Sequence, residues 1–295
     1  MDTQQHKAGF VSILGNPNVG KSTLMNALTG ERLSIITSKA QTTRHRIMGI
    51  VNGEQFQIVY SDTPGLLTPN YKMQEYMMQY VESALRDSDI LLYLIECGET
   101  NYNEKIINHV VKSKIPVILI INKIDLVTKE VITVSQQHWK TVLQPLKTCC
   151  VSALHGTNID GIIKDIVDLL PVSPPYFSKD ELTDRPMRFF VSEIIREKIL
   201  LQFKKEIPYS VEIEITEYKE EKQITRISAN VFVERDSQKA IILGHKGAAI
   251  KELGTNARLS IEEFIAQKVY LSLSVKVQKN WRNNDLHLRR FGYGI

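Results

Sequence analysis

The chain has 295 residues, 43% hydrophobic and 24% charged, which suits a globular protein with room for two cores. No apolar run reaches the roughly 18–20 residues that cross a bilayer, and the opening MDTQQHKAG has no apolar signal core, so a cytoplasmic location is expected. Net charge is +4, and neither the three cysteines (Cys97, Cys149, Cys150) nor the seven histidines show metal-ligand spacing, so reduced thiols and no zinc site are expected.

Phe10-Val11-Ser12-Ile13-Leu14 is a short apolar run, and a helix is expected over 22–28 with Gly30 as its stop. Between them, Gly15-Asn16-Pro17-Asn18-Val19-Gly20-Lys21-Ser22 matches GxxxxGK[ST]. Backbone N–H groups of such a loop cradle phosphate oxygens, and the following helix N-terminus adds positive potential. Lys21 is expected to reach the β- and γ-phosphates and Ser22 to bind magnesium. Residues 31–45 are polar and aperiodic, which predicts a loop. Asn52-Gly53 is a type I′ hairpin signal between strands at 46–51 and 55–61. In the second strand Phe56, Ile58 and Tyr60 alternate with Gln55, Gln57 and Val59. That strand ends at Asp62-Thr63-Pro64-Gly65. Asp62 would hold magnesium, through water, and the Gly65 N–H would sense the γ-phosphate.

Residues 90–95 and 117–121 are continuous apolar runs, the signature of parallel strands buried on both faces. Helical stretches fall near 73–86, 103–113, 135–146 and 158–170. The alternation predicts an α/β fold, a P-loop NTPase domain with a doubly wound, mostly parallel sheet and its nucleotide at the C-terminal strand ends. Asn122-Lys123-Ile124-Asp125 supplies base selection. The Asp125 carboxylate can accept from guanine N1–H and N2–H₂, which adenine cannot match. Asn122 would support N7 and neighbouring loops, the Lys123 stem would cover the base, and Ser152-Ala153-Leu154 would offer an N–H to guanine O6. Together the motifs point to GTP/GDP with magnesium. Leu66 stands where many small GTPases carry a water-orienting glutamine, so unassisted turnover is expected on the order of 10⁻⁴–10⁻² s⁻¹.

Pro171-Val172-Ser173-Pro174-Pro175 ends this pattern. The expected organisation is a nucleotide domain at 1–172, a linker at 173–186 and a second, α+β domain at 187–295. That half reads α-β-β-α-α-β, with a helix near 189–205, strands near 210–217 and 224–233, helices on either side of Gly244-His245-Lys246-Gly247, and a strand at 269–277. The later of those helices carries Ile250, Leu253, Ala257, Ile261 and Phe264 on one face. Residues 235–295 hold 11 Lys or Arg against 5 Asp or Glu, a balance suited to phosphate backbones.

These nucleotide motifs look like those of translation-factor-class GTPases, and the full arrangement resembles the Era-like family of bacterial GTPases over nearly the whole chain. Lys39-Ala40-Gln41-Thr42-Thr43-Arg44-His45-Arg46 looks like that family's first switch segment, in which a threonine binds magnesium with GTP present. The resemblance implies Thr43, with Thr42 as the alternative. It assigns turnover to Lys21, Thr43, Gly65 and Asn18. Asn18 matches the P-loop asparagine of related potassium-stimulated GTPases, so it would help bind potassium or simply shape the loop. The second half resembles a type II KH domain, whose GxxG loop clamps about four nucleotides. A groove of Ile241, Ile242, Ala248, Ile250 and Lys251 would adjoin Gly244, His245, Lys246 and Gly247. Arg235, Lys239, Arg258, Lys276 and Lys279 would add phosphate contacts. A protein-docking module is the other reading of this fold. The resemblance further implies binding near the 3′ end of 16S rRNA on the 30S subunit, action in its assembly, a monomer, and peripheral contact with the inner membrane.

Overall fold

A computed structural model of the chain describes residues 5–294. In the first half, β1 (Lys7–Leu14), α1 (Lys21–Thr29), β2 (Ile47–Asn52), β3 (Phe56–Asp62), α2 (Lys72–Asp87), β4 (Ile90–Glu96), α3 (Glu104–Ser113), β5 (Val117–Asn122), α4 (Lys129–Leu143), β6 (Lys147–Cys150) and α5 (Ile159–Leu169) follow in order. The six strands form one sheet in the order β2-β3-β1-β4-β5-β6. All pairings are parallel except β2 with β3. The chain builds outward from β1 in both directions, and the loop after β1 therefore opens at the switch point where ligands of such sheets bind. The apolar runs of β4 and β5 are buried throughout β5 and up to Ile95 in β4, as strands covered on both faces require. Gly30 ends α1 on left-handed backbone, its N–H bonded to the Asn26 carbonyl. α4 begins earlier than its periodicity predicts, at Lys129.

The β2–β3 connection differs from expectation. Neither Asn52 nor Gly53 has positive φ, which a type I′ turn demands at both central residues. The loop is longer, closed by the Gly53 N–H on the Phe56 carbonyl at 2.8 Å. Glycine is needed there because a Cβ would stand 2.2 Å from the Phe56 ring.

The stretch expected as a linker also behaves differently. Residues through Asp184 pack with the first unit. Gln57, fully buried, accepts from the Tyr176 and Phe177 N–H groups at 2.7 and 3.0 Å and donates to the Phe177 carbonyl at 2.9 Å. The Ile50 N–H donates to the Leu182 carbonyl, and the Thr183 hydroxyl to the Met48 carbonyl. Gln57 of β3 is therefore an anchor for residues 176–177.

The second unit gathers residues 185–294 with two strips from the first half of the sequence, Ile35–Thr42 and Pro69–Tyr76. It contains α6 (Met187–Gln202), α7 (Ile207–Ser210), β7 (Glu212–Glu220), β8 (Thr225–Val233), α8 (Asp236–Leu243), α9 (Ala248–Ile265), β9 (Val269–Val277) and α10 (Asp285–Arg290). Its sheet runs β7-β8-β9, antiparallel then parallel. The expected α-β-β-α-α-β order holds, with α7 and α10 added. Its core joins Ile195 and Ile199 of α6 and Leu253, Ala257 and Ile261 of α9 to Ile227, Ala229 and Val231 of β8.

Candidate nucleotide and RNA sites

Residues 15–22 connect β1 to α1, and their backbone explains the glycines. Gly15 and Gly20 have φ of 154° and 103°. A Cβ at Gly15 would stand 2.2 Å from the Leu94 carbonyl oxygen, and one at Gly20 would stand 2.3 Å from Asn122 Nδ2. Asn18 is exposed at the loop's tip on left-handed backbone. Asn16 is held by Glu99 Oε1 at 2.6 Å and the Asn101 carbonyl at 3.0 Å. Lys21 folds back onto its own loop, donating to the carbonyls of Gly15 and Asn16 at 3.0 and 2.8 Å. Burial pulls its ammonium down to about 8, against the opposing pull of Asp62 and Glu99.

Three oxygen-bearing side chains meet at the start of α1. The Ser22 hydroxyl lies 2.8 Å from Asp62 Oδ2 and 2.8 Å from the Thr43 hydroxyl, and Thr43 lies 3.3 Å from Asp62 Oδ2. Asp62 is fully buried, and its other oxygen, Oδ1, has no hydrogen-bond partner. Burial pushes this carboxyl above its usual range, although Lys21 and Ser22 oppose the shift. A buried carboxylate with an orphaned oxygen beside two hydroxyls is a donor set suited to a hard divalent cation. Thr42 does not join it, since its hydroxyl bonds to Thr37 Oγ1 and the Lys39 carbonyl.

The segment after β3 closes on the phosphate loop. The Thr63 hydroxyl donates to the Ile13 carbonyl at 2.7 Å, and the Leu66 N–H donates to the Gly15 carbonyl at 3.2 Å. Gly65 fits because a Cβ would meet Pro17 Cα at 2.9 Å. Leu66 is buried in the core with Val81 and Leu85, so it cannot orient a water.

At the base end, Asn122 stitches three loops together. Its Nδ2 donates to the Val19 carbonyl at 2.8 Å, and its Oδ1 accepts from the Ala153 N–H at 2.9 Å. The role of holding neighbouring loops is thus explicit, and it occupies the Ala153 N–H. Lys123 sits on left-handed backbone and pairs with Glu96 at 2.6 Å. Asp125 follows in a short turn, Ile124–Leu126, with His155 Nε2 3.8 Å from Oδ2. Ser152 is buried and Leu154 exposed.

In the second unit, Gly244, Lys246 and Gly247 all have positive φ and make one tight turn, His245–Gly247, between α8 and α9. Arg235, His245, Lys246 and Lys251 are exposed, and Lys239 is half-buried. One expected groove residue is misplaced. Ile242 is fully buried in the core, so it supports α8 from beneath. An open cleft of about 320 Å³ is lined by Ile250, Lys251, Gly254, Thr255, Arg258, Leu271 and Leu273. Sequence reasoning found Ile250, Lys251 and Arg258 but missed Gly254, Thr255 and the two leucines of β9. The alternation of Leu271 and Leu273 with serines was the available signal.

Comparison with known proteins agrees with this division. A family described as 50S ribosome-binding GTPase matches residues 10–123, and a KH domain family matches residues 206–282. GTPase Era of Carboxydothermus hydrogenoformans is 42% identical, covering 98% of this chain and 98% of its own. Among solved structures, an Aquifex aeolicus Era variant bound to GDP·AlF4⁻ superposes with a TM-score of 0.93 at 36% identity, covering 98% of this chain and 100% of that one. Era in complex with MgGDPNP and nucleotides 1506–1542 of 16S ribosomal RNA gives the same TM-score of 0.93, identity of 36% and coverage of 98% and 100%. With nucleotide motifs at the strand ends of the first unit, a GxxG turn in the second, and this likeness running through both, the chain belongs to the Era GTPase family.

Proposed function

We propose that the protein binds GTP with magnesium, hydrolyses it to GDP and phosphate, and uses the cycle to control binding of 16S rRNA during assembly of the 30S subunit. The convergence of Ser22, Thr43 and Asp62 around an unpartnered, buried Asp62 oxygen carries the nucleotide half of this reading. These three would hold magnesium, directly or through water, and bound magnesium would offset phosphate charge. Lys21 exchanges its loop carbonyls for β- and γ-phosphate oxygens, and N–H groups of residues 15–22 surround them. The Gly65 N–H faces the γ-phosphate. Asp125 accepts from the guanine edge, and Lys123 covers the ring. With Leu66 buried, no side chain of that segment activates water, so catalysis rests on positioning and electrostatics. Asn18 would help hold a potassium ion near the phosphates, where it would supply further positive charge; equal hydrolysis rates in potassium and sodium buffers would reject that detail.

For RNA, the GxxG turn lets a phosphate backbone approach Gly244 and Gly247 while Lys246 adds charge. Bases then lie on Ile250, Leu271 and Leu273, with Lys251 and Arg258 at the rim. The 16S fragment bound by the related Era favours a small-subunit target. The setting is the cytoplasm, with the protein acting as a monomer and touching the inner membrane only peripherally. Crosslinking to ribosomal particles with a non-hydrolysable GTP analogue tests the reading. Contacts at the 3′ end of 16S rRNA are expected, and contacts confined to 50S particles would refute it.

A further inference from the structure

Arg196 lies within α6 with 1% of its surface exposed. A guanidinium carries five N–H donors in a rigid planar fork, and burying it without partners is strongly unfavourable. Glu193, one turn earlier and also buried, meets part of that demand: Nε donates to Oε1 at 2.7 Å, and Nη2 donates to Oε2. The remaining contacts leave the helix. Nη2 also donates to the Thr42 carbonyl, and Nη1 to the Gln41 carbonyl at 3.4 Å. Both carbonyls belong to the strip Ile35–Thr42, which packs as part of this second unit.

The strip reciprocates. Lys39 Nζ donates to the carbonyls of Leu200 and Phe203 at the C-terminal end of α6, where carbonyls lack helical partners and a cation is favoured. The Gln41 side chain accepts from the Tyr71 hydroxyl at 3.0 Å, and Tyr71 belongs to the other strip of this unit. The Thr42 side chain is used inside the strip, so Arg196 grips backbone there.

The next residue is Thr43, whose hydroxyl stands with Ser22 and Asp62. We propose that Arg196 is a positioning residue of the GTPase cycle: braced by Glu193, it fixes the Thr42 carbonyl and thereby holds Thr43 at the magnesium site while the γ-phosphate is present. This rests on the assignment of Thr43 made above. It gives the RNA-binding half a handle on turnover. Lifting the strip from α6 leaves donors of a buried guanidinium unsatisfied, so docked and released strips are two discrete states.

Full-length Arg196→Met and Lys39→Met test this, the second leaving the interior of α6 intact. Each is compared with the wild type for GDP affinity, for affinity toward a non-hydrolysable GTP analogue with magnesium, and for kcat and KM. GDP has no γ-phosphate to recruit Thr43, so its affinity is expected to be unchanged. Analogue affinity and kcat are both expected to fall about tenfold in Arg196→Met, the equivalent of one charge-assisted hydrogen bond, and less in Lys39→Met. Arg196→Lys, which keeps the charge and loses the fork, is expected to recover part of kcat. Equal losses for GDP and analogue, or an unchanged analogue-to-GDP ratio and kcat, would overturn the proposal. If Arg196→Met does not fold, the same two outcomes in Lys39→Met decide. A wild type that binds neither nucleotide would instead overturn the pocket assignment, so the two failures are distinguishable.

Discussion

On the proposed reading, the Asp125 carboxylate offers two acceptor oxygens to two guanine donors, so base choice would rest on one side chain. Asp125→Asn keeps one acceptor and adds a donor. GTP affinity is expected to fall by about 10²-fold or more, while xanthosine triphosphate, with a carbonyl at that ring position, is expected to gain. Competition binding checks this, and an unchanged preference for guanine would remove Asp125 from base reading. Lys21 makes a second prediction. Its ammonium, lowered to about 8 by burial, is stabilised by phosphates, so nucleotide binding raises its pKa. GTP affinity is therefore expected to be flat below pH 7 and to fall as pH rises through 8. Calorimetry in buffers of different ionisation enthalpy at pH 8 should register proton uptake on binding. The placement of Lys21, Asp62 and Asp125 at the strand ends was legible in the sequence because each lies in a motif of a few consecutive positions. The stitching by Asn122 was only partly legible, since Val19 and Ala153 reach it through folding alone.

Elements were legible where periodicity was strong. β4, β5 and β9 follow their apolar patterns, and α1 stops at its glycine. Two of the misses share a cause: a polar or small residue whose role is set by a distant segment. Gln57 stands in the alternating pattern of β3 with no assigned role, and it is buried under residues 176–177. Gln57→Leu strands those two N–H groups, at roughly 1–3 kcal/mol for each orphaned donor, so a clear drop in thermal midpoint is expected. A midpoint equal to the wild type would mean that the 176–177 anchor contributes nothing. Gly254 sits inside α9, where glycine costs about 0.8–1 kcal/mol relative to alanine. It opens the cleft floor, since a Cβ there would meet only Leu273 Cδ1 at 3.7 Å. Gly254→Leu is expected to keep or raise stability while abolishing RNA binding, measured by filter binding of a single-stranded 16S 3′-end oligonucleotide. Retained binding would place the bases elsewhere.

In the whole molecule, one unit carries the nucleotide motifs and the other carries the GxxG turn and a cleft lined by α9 and β9. The strip at 35–42 belongs to the first by sequence and to the second by packing. Domain reasoning from the proline-rich boundary alone could not show this, because contact and chain order part company there. Any coupling between RNA and hydrolysis depends first on the pocket holding Mg·GTP selectively. The decisive measurement is calorimetric titration of the full chain with GTP and with ATP, each in magnesium. GTP is expected to bind at least about 10³-fold more tightly, because the Asp125 carboxylate finds two matching donors on guanine and none on adenine; ATP binding as tightly as GTP, or no binding of either, would contradict it.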